Sequence, residues 1–192
     1  MSKFKDCLKE KIEQLEKLDG YTLGNFLPEK FKSRNLICFA TDPKGNPCAI
    51  KFSVDHSTIK HEIDMMNLFS NINIMQATGF IERDDFCGIV MPKADGGDLL
   101  EVSSNSTLTE SQIQHILFSL FSALQNIHSA GYIHLDVKLE NIFVMGKNIN
   151  SNIVLGDLEL TTKPKKLNKI CGTDGYIAPE IYKSQKSMYL MI

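Results

Sequence analysis

The polar residues whose types and spacing best fit a defined chemistry lie between residues 132 and 180. Asp136 is followed by Lys138 and Asn141, and Asp157 comes at the end of an apolar run. Phosphoryl transfer needs a group that orients the attacking hydroxyl, ligands for a metal ion and cations beside the phosphates. These four residues offer candidates for each role. The alternative, that Asp136 and Asn141 serve only as turn residues, does not explain their joint spacing with the other two.

Composition limits the class of protein. The chain has 192 residues, a hydrophobic share of 43% and a net charge of −2, which favour one globular domain with a real core. We expect neither nucleic acid nor a membrane as a partner. The five cysteines show no paired spacing, and neither a signal peptide nor an apolar run of membrane-spanning length is evident. An intracellular protein with reduced thiols, cytoplasmic or nuclear, is therefore expected.

The first 20 residues predict an amphipathic helix that ends at Gly20. Apolar residues recur there at steps of three and four, with Lys and Glu between them: Phe4, Leu8, Ile12, Leu15 and Leu18. We treat residues 1–20 as an N-terminal helix and residues 21–192 as the domain. The helix either packs on that domain or binds a partner protein.

Turn and periodicity signals then predict strands followed by helices. The expected elements are strands at 36–40 and 48–54 around a turn at 42–46, a helix at 61–70, and strands at 80–83 and 86–91. Thr109 and Gln112 form the capping box of another helix, which Gly131 ends and which we assign to the core. This order predicts an α+β fold.

Three motifs resemble those of eukaryotic protein kinases. Residues 134–141 read HLDVKLEN, where that family has HRDLKxxN; DLE at 157–159 is similar to DFG; and APE stands at 178–180. The resemblance implies a bilobal fold, with a β-rich small lobe over residues 21–91 and a helical large lobe over residues 95–192. It also implies that a nucleotide, ATP with Mg²⁺, binds between the lobes.

The resemblance assigns roles to catalytic residues. Lys51, in the sequence CAIK, would bind the α- and β-phosphates, and Glu62 would be its ion-pair partner on the following helix. Asp136 would orient the substrate hydroxyl and Lys138 would neutralise the transferring phosphoryl group. On the residues alone, Lys51 could instead be a surface lysine and Glu62 a solvated helix residue.

Metal and nucleotide contacts follow from the same resemblance. Asn141 and Asp157 would hold magnesium. Met91 would be the gatekeeper beside the adenine, the backbone of Pro92 and Ala94 would face the adenine edge, and Asp98 would reach the ribose hydroxyls. Leu36, Ala49 and Phe143 would complete the nucleotide lining. For Asp98 the alternative is a helix N-cap after Gly96-Gly97.

The small lobe departs from the family pattern at the phosphate-covering loop. The family's loop is rich in glycine, whereas this chain has only Gly24, which lies too far upstream. Lys30, Lys32 and Arg34 could offer positive charge there, or could belong to a solvated turn. We therefore expect weaker nucleotide binding than in a typical family member.

The large lobe also departs from the pattern. Leu135 replaces the arginine that grips a phosphorylated activation loop, and Lys169 stands at the usual phosphosite, so we expect no need for that phosphorylation. Glu159 replaces the glycine of DFG, which is expected to stiffen or misplace Asp157.

The resemblance thus implies a serine/threonine protein kinase that transfers the γ-phosphate of Mg-ATP to a protein hydroxyl. Because only twelve residues follow Glu180, the expectation is a truncated large lobe whose exposed apolar face a partner could cover. The alternative is a catalytically impaired pseudokinase or partner-binding module.

Overall fold

The computed structural model describes residues 2–15, 17–27, 35–166 and 170–183. Two compact units are present, one formed by residues 1–63 and 76–93 and the other by residues 64–75 and 94–192. The elements are α1 (Ser2–Glu13), β1 (Lys17–Leu18), β2 (Tyr21–Phe26), β3 (Leu36–Thr41), β4 (Pro47–Ser53), α2 (His56–Leu68), β5 (Gly79–Glu82), β6 (Cys87–Pro92), α3 (Leu99–Asn105), α4 (Glu110–Ser129), β7 (Ile142–Val144), β8 (Ile153–Leu155) and α5 (Pro179–Lys183). The predicted α+β class is confirmed.

The first unit is built on one antiparallel sheet with strand order β1-β2-β3-β4-β6-β5. The predicted turn between β3 and β4 is present, because the carboxylate of Asp42 accepts hydrogen bonds from the amides of Lys44 and Asn46, each at 2.8 Å. Gly45 supplies the positive φ of 89° that the turn requires. This turn sets the register of β3 against β4 and so decides which side chains share a face.

Helix α1 packs against the sheet, but it is shorter than the sequence predicts. It ends at Glu13, not at Gly20, because Leu18 pairs with Tyr21 in the β1–β2 hairpin and the chain turns at Asp19 and Gly20. Leu8 and Ile12 are buried in the sheet core. Of the two expectations for this helix, the described residues therefore show the packed one.

Two side chains of the β5–β6 hairpin also hold α1. The ammonium of Lys11 forms an ion pair with Asp85 and lies 5.7 Å from the centre of the Phe86 ring. The Lys11–Asp85 ion pair is exposed to solvent, so the burial of Ile12 contributes more to the stability of this packing than that pair does.

Helix α2 begins at His56, five residues before the predicted start, because Asp55 caps it. The Asp55 carboxylate accepts hydrogen bonds from the amides of Ser57 and Thr58, both at 3.1 Å, and from their hydroxyls. These bonds, that of the Ser57 hydroxyl first, lower the pKa of Asp55 to about 2. The cap fixes the start of the helix that carries Glu62.

Helix α4 is the longest element of the second unit. Its predicted capping box is confirmed, since Thr109 accepts a hydrogen bond from the amide of Gln112 and the Gln112 side chain accepts one from the amide of Thr109. Gly131 follows the helix at a φ of 79°, as predicted. The buried face contains Ile116, Ser119, Ala123 and Ile127.

Helix α4 combines a core face with an exposed apolar face, both of which the sequence leads us to expect in this part of the chain. Ile113, Leu117, Phe118 and Phe121 are exposed in the structure, so the helix is buried along only one side.

In the parts of the chain that the structure describes, no helix has the length and apolarity needed to cross a membrane.

Replacing Ile12 by Ala tests whether α1 belongs to the first unit's core. The side chain is fully buried, so we expect a loss of about 2–5 kcal/mol in the free energy of unfolding, measured by urea denaturation. The control is Glu10→Ala on the exposed side of the same helix, which should change stability by less than about 0.5 kcal/mol. Equal stability of the two variants would contradict the packing of α1.

Candidate active site

A buried ion pair joins strand β4 to helix α2 in the first unit. The Nζ of Lys51 lies 2.7 Å from Oε2 of Glu62, and the two side chains are only 8% and 1% exposed. Lys51 is therefore not a surface lysine, and Glu62 is not a solvated helix residue. Because each charge is removed from water, each depends on the other, and removal of one partner of such a pair costs about 3–5 kcal/mol.

The strand register corrects one predicted nucleotide contact. Directly paired residues point to the same face of a sheet, and Leu36 pairs with Phe52 while Ile37 pairs with Lys51. Leu36 is buried in the core on the other face, at 5% exposure. Pairing with Phe52 places the Leu36 side chain on the face opposite Lys51, because neighbouring residues of a strand point to opposite faces. Ile37, which pairs with Lys51, lies on the face that carries the lysine.

Three other residues share the sheet face of Lys51. Ala49 pairs with Phe39 on β3 and with Met91 on β6, which puts all three side chains on one side. The ammonium of Lys93 lies 4.9 Å from the centre of the Phe39 ring. The structure thus brings two predicted contacts, Ala49 and Met91, to the face that carries the buried lysine, and it adds Phe39.

The remaining predicted nucleotide contacts lie in the second unit. Asp98 is the N-cap of α3, where its Oδ1 accepts a hydrogen bond from the amide of Glu101 at 2.8 Å. This is the alternative that the sequence left open for it. Its backbone also forms an isolated bridge with Phe143. The Ala94 carbonyl accepts a hydrogen bond from the amide of Gly97 at 3.1 Å.

The Asp136 carboxylate is the centre of a hydrogen-bonded network. The amide nitrogen of Asn141 donates to its Oδ2 at 3.1 Å and to its backbone carbonyl at 2.8 Å. The Nζ of Lys138 lies 2.9 Å from the same Oδ2. Three of the predicted site residues are therefore in direct contact, and Asp136 and Asn141 are both buried.

Thr173 completes this network, although its sequence position alone did not assign it a role. Its hydroxyl donates to Oδ1 of Asp136 at 2.6 Å and accepts a hydrogen bond from Nζ of Lys138 at 2.7 Å. Thr173 lies 37 residues after Asp136 in the chain. Its place in the Gly-Thr pair just before the APE motif was the available signal.

His134 links the Asp136 loop to the residue before Asp157. Its Nδ1 accepts a hydrogen bond from the amide of Asp136 at 3.2 Å, so its Nε2 carries the proton and donates to the carbonyl of Gly156 at 3.1 Å. Burial lowers the pKa of His134 below its ordinary value and keeps the ring neutral, which agrees with these two bonds.

Asn141 and Asp157 fit the donor chemistry of a magnesium site. The Asn141 amide nitrogen is used by Asp136, which leaves the amide oxygen as its atom for a cation. The Gly156 amide donates to the Asn141 carbonyl at 2.8 Å, so Asp157 follows directly on a residue bonded to Asn141. A carboxylate and an amide oxygen are ligands that magnesium takes.

Two residues of this region have left-handed backbone conformations. The φ angles of Leu135 and Asp157 are 71° and 58°, which are uncommon for residues with a side chain. Asp157 precedes a single 3₁₀ turn, Leu158–Leu160, which contains Glu159. Strain of this kind concentrates at functional sites, and here it flanks both predicted acidic centres.

Some predictions concern residues outside the described ranges. Lys30, Lys32 and Arg34, the proposed cations of the phosphate loop, and Lys169 are among these residues. Gly24 is described and lies within β2, where an added Cβ would come within 3.0 Å of the Phe39 carbonyl oxygen. This glycine therefore permits close strand packing and does not belong to a phosphate loop.

Comparison with known proteins agrees with this geometry. The sequence profile of the family described as protein kinase domain matches residues 44–190. NUAK family SNF1-like kinase 2 of Rattus norvegicus is 31% identical over 181 residues, covering 92% of this chain and 28% of the rat protein. Serine/threonine-protein kinase cds1 of Schizosaccharomyces pombe is 30% identical over 131 residues, covering 66% of this chain and 28% of the yeast protein. The chain spans less than a third of the length of these relatives.

Replacing His134 by Gln tests the neutral state of the buried ring. A histidine whose pKa is lowered in the folded state stabilises the fold fully above the unfolded value of about 6.5, and this contribution is lost as pH falls below that value. Wild-type stability should therefore fall below pH 6.5 more steeply than that of His134→Gln, by up to about 1.4 kcal/mol per pH unit. Urea denaturation at a series of pH values measures this difference, and parallel curves would contradict it.

Proposed function

Since the chain belongs to the protein kinase family, we propose that it transfers the γ-phosphate of Mg-ATP to a serine or threonine hydroxyl of a protein. The observation that carries this proposal is the contact network of Asp136, Lys138, Asn141 and Thr173. In this network the Asp136 carboxylate and the Asn141 amide offer oxygen atoms, and Lys138 offers an ammonium group. These groups suit phosphoryl transfer, which depends on position and charge more than on covalent chemistry.

In this proposal Asp136 orients the attacking hydroxyl and accepts its proton. Asn141 and Lys138 both contact Oδ2, while Thr173 contacts Oδ1, so the carboxylate is fixed in direction before a substrate arrives. Such preorganisation avoids reorientation of the group during the reaction. Lys138 also provides the positive charge that the transferring phosphoryl group requires.

Lys51 provides the cation for the α- and β-phosphates, and Glu62 keeps it in place. The lysine is buried and its ammonium is paired, so it has one well-defined position on its sheet face. The apolar residues Ile37, Ala49 and Met91 on that face support binding of the adenine. Asn141 and Asp157 would hold magnesium, which when bound neutralises charge on the phosphates.

The serine/threonine preference rests on Lys138 and on the names of the relatives. The matched proteins from rat and fission yeast are a SNF1-like kinase and a serine/threonine-protein kinase. Lysine two positions after Asp136 is the form of the loop that the sequence resemblance assigns to this branch. The substrate is accordingly a protein that presents a serine or threonine hydroxyl.

A second candidate function is that of a catalytically impaired, partner-binding kinase domain. The phosphate-loop segment lacks glycine and Glu159 stands where the family has glycine. Leu117, Phe118 and Phe121 on α4 also expose an apolar face of the kind that binds proteins. A thermal shift with Mg-ATP tests whether the site binds the nucleotide: wild type but not Asp157→Ala should then be stabilised.

Replacing Asp136 by Asn tests the proposed reaction. Loss of the proton acceptor should lower kcat for a serine peptide by about 10²- to 10⁴-fold, while the thermal shift with Mg-ATP is retained. The control is Asp84→Asn, in the exposed β5–β6 turn, which should keep the wild-type kcat. If wild type and Asp136→Asn phosphorylate the peptide equally, the activity does not belong to this site and the proposed function fails.

A further inference from the structure

We propose that Gly172 and Ile177 are positioning residues that seat Thr173 on the Asp136 carboxylate. Both residues act through Thr173. The inference rests on the proposed phosphotransfer at Asp136. It adds a specific reason why the direction of that carboxylate is fixed. The required contacts all lie in the second unit, among the described residues.

Gly172 lies against Leu135, and the next residues of the two segments, Thr173 and Asp136, are also in contact. A Cβ built on Gly172 would lie 2.7 Å from the carbonyl oxygen of Leu135, closer than real Cβ atoms come to such an atom. In the next pair, the Thr173 hydroxyl reaches Asp136 at 2.6 Å. Contact of residue 172 with residue 135 therefore sets the distance at which residue 173 meets residue 136. Only glycine allows this approach.

Ile177 closes the other side of the same contact. Its Cγ1 lies 3.1 Å from the Cβ position of Gly172, so this glycine occupies a slot between a carbonyl oxygen and an aliphatic side chain. Ile177 and Leu135 also line one cavity of about 310 Å³, together with Val137 and Ile181. The packing of Ile177 thus keeps Gly172 against the backbone that precedes Asp136.

The slot is formed by backbone and aliphatic atoms. Its parts are the Leu135 carbonyl, the Gly172 backbone and the Ile177 side chain. Leu135 holds its carbonyl in a left-handed conformation, with a φ of 71°, and Gly172 has a φ of 111°. The position of Thr173 therefore depends on backbone fit and apolar packing, which agrees with the leucine that replaces the family's arginine at 135.

Gly175 allows this fit to be separated from a simple need for positive φ. It has a φ of 89°, close to that of Gly172, but an added Cβ would meet nothing within 4 Å. Alanine at 175 imposes the conformational strain alone, whereas alanine at 172 adds a collision with a backbone carbonyl. The two variants form a matched pair within one short segment.

The first experiment compares Gly172→Ala with Gly175→Ala. Gly172→Ala should lower kcat for a serine peptide by about 100-fold, the scale of a misplacement of about 1 Å, with the KM for ATP unchanged. Gly175→Ala should keep kcat within about threefold of wild type, since its strain leaves the slot intact. If both variants lose kcat equally, glycine is needed only for its φ and the proposal is overturned.

A second readout does not depend on activity. Lys138 is held by Asp136 and Thr173 and is only 16% exposed, so an amine-reactive reagent should label it slowly. Mass spectrometry of labelled Lys138 should show faster reaction in Gly172→Ala but not in Gly175→Ala. Unchanged labelling in folded Gly172→Ala overturns the proposal. If wild type transfers no phosphate, the proposed function fails, while this labelling still decides the role of Gly172.

Ile177→Ala provides a variant that creates no collision. Removing the side chain opens one side of the slot, so kcat should fall and Lys138 should label faster, both less than in Gly172→Ala. The control is Ile181→Ala, which truncates another buried residue of the same cavity that does not contact the Gly172 position. Circular dichroism melting verifies that each variant is folded. Equal behaviour of the two isoleucine variants would show general loosening of the cavity and would refute a specific seat.

Discussion

The proposed chemistry depends on the fixed direction of one buried carboxylate, that of Asp136. Three donors from two places in the sequence meet it: Lys138 and Asn141 from the following turn, and Thr173 from 37 residues later. A buried carboxylate with fewer donors would be costly to keep charged, and one with mobile donors would have to reorient during each reaction. In the second unit, the Asp136 carboxylate has several donors, and these donors hold it in one direction.

The same physical constraint explains other features of the structure. His134 is neutral because it is buried, and its two ring nitrogens join the backbone of Asp136 to that of Gly156. In the first unit, the buried side chains of Lys51 and Glu62 face each other at 2.7 Å. In each case a buried polar group bonds to a specific partner in place of water, and that partner holds the group in one position.

The sequence predicted contacts that depend on local spacing, and it was less successful where distant segments decide the outcome. The Lys51–Glu62 pair was implied by the family resemblance, and the capping box of α4 followed from two residues. Leu36, expected to line the nucleotide, lies on the sheet face opposite Lys51, and that face depends on a strand register that local spacing does not determine. Thr173 could not be assigned to Asp136, since nothing in the intervening residues predicts where the chain returns.

The end of α1 shows the same limit at a larger scale. Helical periodicity continues through Leu15 and Leu18, but pairing of β1 with β2 places Leu18 in a strand, where it is buried all the same. A pattern of apolar residues reports burial more reliably than it reports the element that achieves it.

The central claim is that the donors around Asp136 prepare it for phosphoryl transfer, and Thr173→Val tests this most directly because valine keeps the shape of threonine without its hydroxyl. The measurement is the single-turnover rate of γ-phosphate transfer from Mg-ATP to a serine peptide, with the protein in excess over ATP. Wild type should transfer phosphate, and Thr173→Val should do so at least about tenfold more slowly, which corresponds to about 1.4 kcal/mol of lost transition-state stabilisation. The affinity for Mg-ATP should be unchanged. Equal single-turnover rates for the two proteins would contradict the central claim.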